Sequence, residues 1–395
     1  PYTTLFRSLY LGSYASGNNY MDMSAITPSS MQLNKLKWET TTEYNTGLDA
    51  TFLKGKLRFT VDVYQKYVKD LLQPKVKMPT TIGYGNGYQI SYMNSGKMTN
   101  KGWEFRVDAV PFQNKDWRVG VYFNIAHNEN KITEMPDNYI EENYTFGNGN
   151  YAYRREEGRP MGSFYGYRYK GVYQNKDATY ARDIEGNVMK DISGNAIVMR
   201  NGSYTVAPGD AIYEDVNHDG VINQYDIVYL GNSNPRLTGG AGLNVSYKQF
   251  KLSAIFYGRY GQDVVNATRL NNESMRGIDN QSTAVLRRWR NEGDQTDIPR
   301  ALYGEGYNTL GSDRFVEDAS YLRLKSLSFT YRLPKKAIQR WGFNNIDVYV
   351  TGYNLFTWTK YTGQDPEVKT ENTYARDTAT TPASIQLVAG FNLSF

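Results

Sequence analysis

One stretch of this chain concentrates oxygen donors at regular intervals: Asp215-Val216-Asn217-His218-Asp219-Gly220-Val221-Ile222-Asn223-Gln224-Tyr225-Asp226. Oxygen-bearing side chains at loop positions 1, 3, 5 and 12, with glycine at 6, follow the spacing of an EF-hand-type calcium loop. Asp215, Asn217, Asp219 and Asp226 would supply side-chain oxygens, Val221 its carbonyl, and Gly220 the sharp turn. Asp in place of Glu at the last position shortens the reach. No helical periodicity flanks the segment, so bound Ca2+ is expected to pin a loop and not to open a sensor. The same residues would also make a polar, Asx-rich turn capped by its own backbone.

Catalytic chemistry finds little material. Cysteine is absent and there are 2 histidines. His127 falls near the end of a strand pattern, and His218 sits at a non-ligating position of the loop. Carboxylates are plentiful, but nothing sets one pair apart as an acid and base. The chain is not expected to be an enzyme.

The elements that must position the loop are strands. Over 395 residues, 45 Lys and Arg are interspersed with 40 Asp and Glu, for a net charge of +5. No segment gathers that charge into a stripe for nucleic acid. The longest apolar run is 4 residues, as in Ala254-Ile255-Phe256-Tyr257, which excludes membrane helices of about 20 residues. With 35 Tyr, 36 Gly and 14% aromatic residues, the apolar surface must come from aromatics spaced between polar residues. That suits β-structure, and a membrane barrel in particular.

Strict alternation bears this out. Tyr44, Thr46, Leu48, Ala50 and Phe52 oppose Glu43, Asn45, Gly47, Asp49 and Thr51. Across Lys54-Gly55, Leu57, Phe59, Val61 and Val63 oppose Arg58, Thr60, Asp62 and Tyr64. Trp103, Phe105, Val107 and Ala109 oppose Glu104, Arg106 and Asp108, and the pattern returns from Trp117 to Ile125. Further stripes are Ala241–Tyr247, Leu252–Phe256, Leu327–Leu333, Ile346–Val350 and Ile385–Phe395. Nine strands of about 10–14 residues are expected, longer than the usual 5–6 and long enough to cross a bilayer at a tilt.

Connections at Lys54-Gly55, Gln113–Asp116 and Lys248–Phe250 are short, and Pro334–Asn345 is moderate. Those at 73–99, 131–235, 263–317 and 360–382 are long. In a meander the two kinds alternate between ends, provided 131–235 crosses an even number of times. Short periplasmic turns and long extracellular loops are the habit of outer-membrane barrels. A soluble β-sandwich also alternates, but it explains neither the strand length nor the one-sided loops. In hydrocarbon every backbone polar group must pair within the sheet, so only a closed barrel serves. Apolar rows then face lipid and charged rows a wet lumen, since Arg106 or Asp62 turned to lipid would cost about 2–4 kcal/mol at mid-depth. Nine is odd for such a barrel, and a first strand with an unpaired edge asks for partners upstream. The chain starts at Pro1 with a stretch that fits no later pattern, and a piece of a longer protein is expected.

Several separate stretches resemble the SusC/RagA family of TonB-linked outer-membrane transporters of Bacteroidota. They are Leu36-Lys37-Trp38-Glu39 before Asn45-Thr46-Gly47-Leu48-Asp49, and Asn94-Ser95-Gly96 before Asn100-Lys101-Gly102-Trp103-Glu104. Gly166-Tyr167, Gly171-Val172-Tyr173-Gln174 and Pro208-Gly209-Asp210 follow, the last running into the Asp215–Gly220 stretch. Gly231-Asn232, Asn234-Pro235, Arg288-Trp289, Gly293-Asp294, Gly352-Tyr353-Asn354-Leu355-Phe356 and Asp365-Pro366-Glu367 complete the series. The resemblance implies the C-terminal part of a 22-stranded barrel, closed by an N-terminal plug and lidded by a SusD-like surface lipoprotein. It implies active import of an oligosaccharide or oligopeptide, energised by the TonB complex through parts that this sequence does not contain. A passive binding or adhesion barrel is the alternative.

In the last strand, Gly390, Leu393 and the terminal Phe395 resemble the signal read by the outer-membrane assembly machinery, although any closing strand alternates. Tyr84, Tyr88, Tyr92, Trp358 and Tyr361 are candidates for stacking on substrate, against a competing place in the interfacial aromatic belt. Gly83, Gly85 and Gly87 make a flexible loop without the helix that a phosphate-binding turn requires.

Overall fold

Alternation of this length makes strands because β-branched and aromatic residues at every second position share one face of a pleat. The computed structural model describes residues 13–20, 23–77, 89–94, 96–135, 150–151, 155–371 and 374–395. Nine strands form its wall: β1 Thr40–Phe52, β2 Leu57–Lys69, β3 Lys97–Gln113, β4 Trp117–Glu134, β5 Leu237–Tyr247, β6 Phe250–Tyr260, β7 Tyr321–Arg332, β8 Asn345–Thr359 and β9 Gln386–Ser394. They make one antiparallel sheet in strict chain order. β4 pairs directly with β5, from Ala126 opposite Thr238 to Trp117 opposite Tyr247. The segment between them therefore crosses the sheet zero times. It runs from 135 to 236, slightly displaced from 131–235, because β4 continues to Glu134.

The turns at 53–56, 114–116, 248–249 and 333–344 lie at one end of the sheet, and the long connections 70–96, 135–236, 261–320 and 360–385 at the other. Asn114 closes one short turn by accepting from the amides of Asp116 and Trp117 at 2.9 and 2.7 Å. The neighbouring turn is laced to it by the Lys248 amide, which donates to the Asp116 carbonyl at 2.8 Å.

Register keeps the two faces apart from strand to strand. Leu48, Val61, Phe105 and Ile125 lie side by side on one face, and Gly47, Asp62, Glu104 and Ala126 on the other. Irregularities between Ala109 and Phe112 and between Leu324 and Ser326 absorb extra residues and return the apolar row to its face. Aromatic contacts gather at both ends of the apolar face. Phe52–Phe59 (5.3 Å), Trp117–Tyr247 (4.3 Å) and Phe250–Tyr331 (4.9 Å) lie toward the short turns, and Tyr44–Tyr67 (6.3 Å) and Phe356–Trp358 (6.2 Å) toward the long connections. This is the double girdle of a membrane barrel. On the polar face Tyr64 lies over Gly102, Tyr122 over Gly242 and Tyr349 over Gly390, each so closely that a Cβ would collide with the ring. The ring shields backbone that glycine leaves bare.

The hydrophobic core lies elsewhere. All three buried clusters consist of residues from the long connections: one around Tyr165, Tyr167, Tyr213, Ile222 and Tyr307, one around Phe164, Val265 and Phe315, and one around Val264, Ala319 and Tyr361. Connections 135–236, 261–320 and 360–385 thus fold together into a cap. Val265 pairs in parallel with Arg376, and Ser233 Oγ accepts from the Ala375 amide at 2.6 Å.

Within the cap, Asp-Ile-x-Gly-Asn occurs at Asp183 and again eight residues later at Asp191. Each Asp caps its own turn, accepting the amides of Asn187 and Asn195 respectively at 2.9 Å. Between the turns the backbone closes a ring: the amide of Ala181 donates to Ile197, that of Ile197 to Met189, and that of Met189 to Ala181, at 2.8–2.9 Å.

Candidate functional site

The polar face of the wall and the underside of the cap meet where the long connections leave the sheet. Along the wall, charges are paired and wet: Arg106 with Asp108 (2.8 Å), Lys66 with Glu43 (3.3 Å) and Arg332 with Asp347 (2.7 Å). Exposed pairs of this kind are worth at most about 1 kcal/mol each. Their importance here is that this face must contact water.

At the mouth the pairing becomes buried. Arg323, on β7, is 3% exposed and donates to Asp365 at 2.5 Å and to Glu367 at 2.8 Å, while Lys325 reaches Glu367 at 2.7 Å. Gln262 donates to the Pro366 carbonyl at 3.2 Å. The Asp365-Pro366-Glu367 stretch therefore clamps connection 360–385 onto the wall. Burial alone would raise the Asp365 pKa, but the amides of Ala383 and Glu367 and the Arg323 guanidinium hold it below the ordinary carboxylate range.

Other motifs met singly along the sequence also converge. Asp210 is fully buried and accepts from Arg300 at 2.7 Å, from Tyr204 Oη at 2.7 Å and from Asn308 at 3.2 Å. Gly209, at φ +88°, lies against the Trp289 ring, where any side chain would clash. Pro208-Gly209-Asp210 and Arg288-Trp289 are thus one knot. Lys37 and Asn94 exchange hydrogen bonds at 2.6 and 2.9 Å, and Glu39 accepts from the Leu72 amide at 2.7 Å. These two motifs join the approach to the first wall strand to the first long connection, 70–96.

The calcium-type loop lies in the cap. Asp215 accepts from the amides of Asp219 (3.2 Å) and Gly220 (2.8 Å), and Asp219 from that of Val221 (2.8 Å). Asn217 Nδ2 donates to Asp219 at 2.9 Å. Gly220 makes the turn at φ +77°. Asp226 is fully buried, and its two oxygens accept the amides of Val216 and Asn223 at 2.8 Å each. Its carboxyl is pushed up, first by burial and then by Asp215 and Asp219. The Val221 carbonyl accepts from Asn223 Nδ2 at 3.1 Å. Asp215, Asn217 and Asp219 are thus brought together around the turn, whereas Asp226 closes the base of the loop as a cap for its own backbone. His218 stands apart, 3.3 Å from the Arg182 carbonyl.

Of the aromatic candidates, Tyr84 and Tyr88 lie outside the described residues, as do Gly83, Gly85 and Gly87. Tyr92 sits in the strand Gln89–Asn94. Trp358 is exposed beside Phe356 in the outer girdle. Tyr361 is buried instead of displayed, because its hydroxyl donates to Asp377 at 2.7 Å and its ring packs with Val264 and Ala319. Gly390 receives Tyr349, Leu393 pairs with Ile346 on the apolar face, and Phe395 is 91% exposed.

A family model described as TonB dependent receptor-like, beta-barrel matches residues 2–355. The chain belongs to that family, whose members are receptors and transporters of the outer membrane, and the nine-stranded sheet is a sector of such a barrel. It is 32% identical over 94% of its length to TonB-dependent receptor P3 of Formosa agariphila and 29% identical over 97% to TonB-dependent receptor SusC of Bacteroides thetaiotaomicron. A solved structure, that of the RagAB peptide transporter, superposes on 98% of this chain with a TM-score of 0.72 and 26% identity. The chain spans 34% of the length of each of those two receptors and 39% of the matched chain in the solved structure. Among the described residues no helix is long and apolar enough to cross a membrane. The resemblance to the SusC/RagA family and the outer-membrane barrel are therefore established, with extracellular loops at the long-connection end.

Proposed function

We propose that this chain is the C-terminal portion of the wall of an energised importer, through which an oligosaccharide or oligopeptide too large for porins passes. The observation that carries the reading is the continuous polar face from Arg332–Asp347 at the short-turn end to Arg323–Asp365 at the mouth. A face of that kind suits a wet conduit and serves no purpose in a packed core. A SusD-like surface lipoprotein is the partner on the cap side, and the TonB complex acts through segments beyond this chain. Uptake of a fluorescent oligomer by cells carrying the whole gene, with and without TonB, tests the proposal. Equal accumulation in both strains would replace it with a passive binding barrel. Co-purification of a surface lipoprotein tests the partner.

Two local roles belong to the same proposal. The loop at Asp215–Asp226 holds Ca2+ through Asp215, Asn217, Asp219, the Val221 carbonyl and Asp226. The oxygen donors that Asp215, Asn217 and Asp219 bring together around the Gly220 turn support this. When bound, the ion would stiffen the cap. Metal content and loop proteolysis unchanged in Asp219→Ala would remove the site. Gly390, Leu393 and Phe395 serve as the assembly signal, and deletion of Phe395 is expected to lower the yield of inserted barrel.

A further inference from the structure

At the mouth, between the outer end of β6 and connection 360–385, lies a cavity of about 830 Å³. Its lining mixes polar and apolar groups, with Arg259, Lys369 and Arg376 as the cations, Thr378 and Thr380 among the hydroxyls, and Val368, Pro382 and Ala383 as the apolar side chains. The volume falls within the range of small-ligand sites, about 300–1,000 Å³.

The charge balance at this place is one-sided. Asp365 and Glu367 also border the cavity, but both are committed to Arg323 and Lys325. A third nearby carboxylate, Asp377, is turned to the Tyr361 hydroxyl and the Ala379 amide at 2.7 and 2.9 Å. Among the side chains described, none of the cavity's own three cations forms an ion pair with a carboxylate. Arg259 donates Nε to Tyr257 Oη at 3.1 Å. Arg376 carries a buried Nε with no hydrogen-bond partner among the described residues.

Resting on the conduit reading, we propose that this cavity binds the carboxylate or sulfate of an acidic oligomer as it enters the lumen. Planar guanidinium groups match such anions in bidentate fashion, and Lys369 adds a mobile point charge at the rim. A neutral oligomer would leave the three cations unmatched, so the cavity selects for acidic substrates.

The test uses the full-length transporter in detergent and titration calorimetry with trigalacturonate, triglutamate and maltotriose. One or both anionic probes should bind at least about tenfold tighter than maltotriose, and the affinity should fall as sodium chloride is raised. Which of the two binds distinguishes an acidic sugar from an acidic peptide. Arg376→Gln should weaken that binding roughly tenfold, the loss of one charge-assisted contact. Lys369→Gln, at an exposed position that cannot disturb folding, should weaken it severalfold. Lys115→Gln, in the exposed short turn 114–116 at the far end, should leave it unchanged. Anionic probes that bind no better than maltotriose overturn the proposal, as does unaltered affinity in both the Arg376 and Lys369 variants. That failure is separate from failure of the importer reading, which depends on TonB-linked uptake and not on the charge of the cargo.

Discussion

On the wall, Phe250 and Phe329 stack with 43% and 47% of their surface exposed, whereas in the cap Phe164 and Tyr165 are sealed completely. Both regions draw on the same aromatic-rich composition. Wall side chains stand in rows that no other part of the protein covers, because the bilayer covers them. The cap must remove its aromatics from water unaided, and it does so by folding three connections around one another. Stability in the wall therefore depends on lipid and on backbone pairing. In the cap it depends on packing and on buried polar knots.

The largest separation between the two should come from Asp210→Ala. It strands the Arg300 guanidinium and leaves Tyr204 and Asn308 without their acceptor, a loss of about 3–5 kcal/mol. The cap should become sensitive to protease while the barrel keeps its heat-modifiable migration in detergent gels; simultaneous loss of both would refute their independence. Next is Leu243→Arg on the apolar face, expected to cost about 2–4 kcal/mol in urea titrations from lipid vesicles. Asn244→Arg, one residue on and facing the lumen, loses only the hydrogen bond from Ser253 and should cost about 1 kcal/mol. Equal effects would mean that the faces are not divided as described.

Gly242→Ala drives a methyl into the Tyr122 ring and should cost about 1–3 kcal/mol. Combining it with Tyr122→Ala should cost less than the sum of the two single changes, which is the coupling that a double-mutant cycle reads. The smallest effect concerns pH. Because the folded Asp365 carboxyl titrates below the ordinary range, its stabilisation is present above that range and is lost as pH falls through the folded value. Protease release of connection 360–385 should rise on acidification, and Arg323→Gln should flatten that response.

The wall was legible in the sequence because a period of two leaves its mark at every position. Phe59 and Val61 against Asp62 declared both the strand and its faces, and the register followed. The cap left weaker marks. Its strands are short, as in Ser163–Gly166 and Tyr169–Val172, and its decisive contacts join distant residues, as Asp210 and Arg300 do. The recurring Tyr165, Tyr167, Tyr169 and Tyr173 and the repeated Asp-Ile-x-Gly-Asn were the available signals. Tyr361 misled for the same reason: spacing gives no warning that Asp377 will take its hydroxyl inward. Asp226 fits the last position of a calcium loop by count, yet only the fold reveals that its oxygens already serve Val216 and Asn223.

The small cycle of amides through Ala181, Met189 and Ile197 bears on life at a crowded cell surface. An open ribbon with unpaired edges offers a ledge onto which a neighbouring chain can zip. Here each of these amides is already answered by the next segment round, so none of the three is left free to pair with a neighbouring chain.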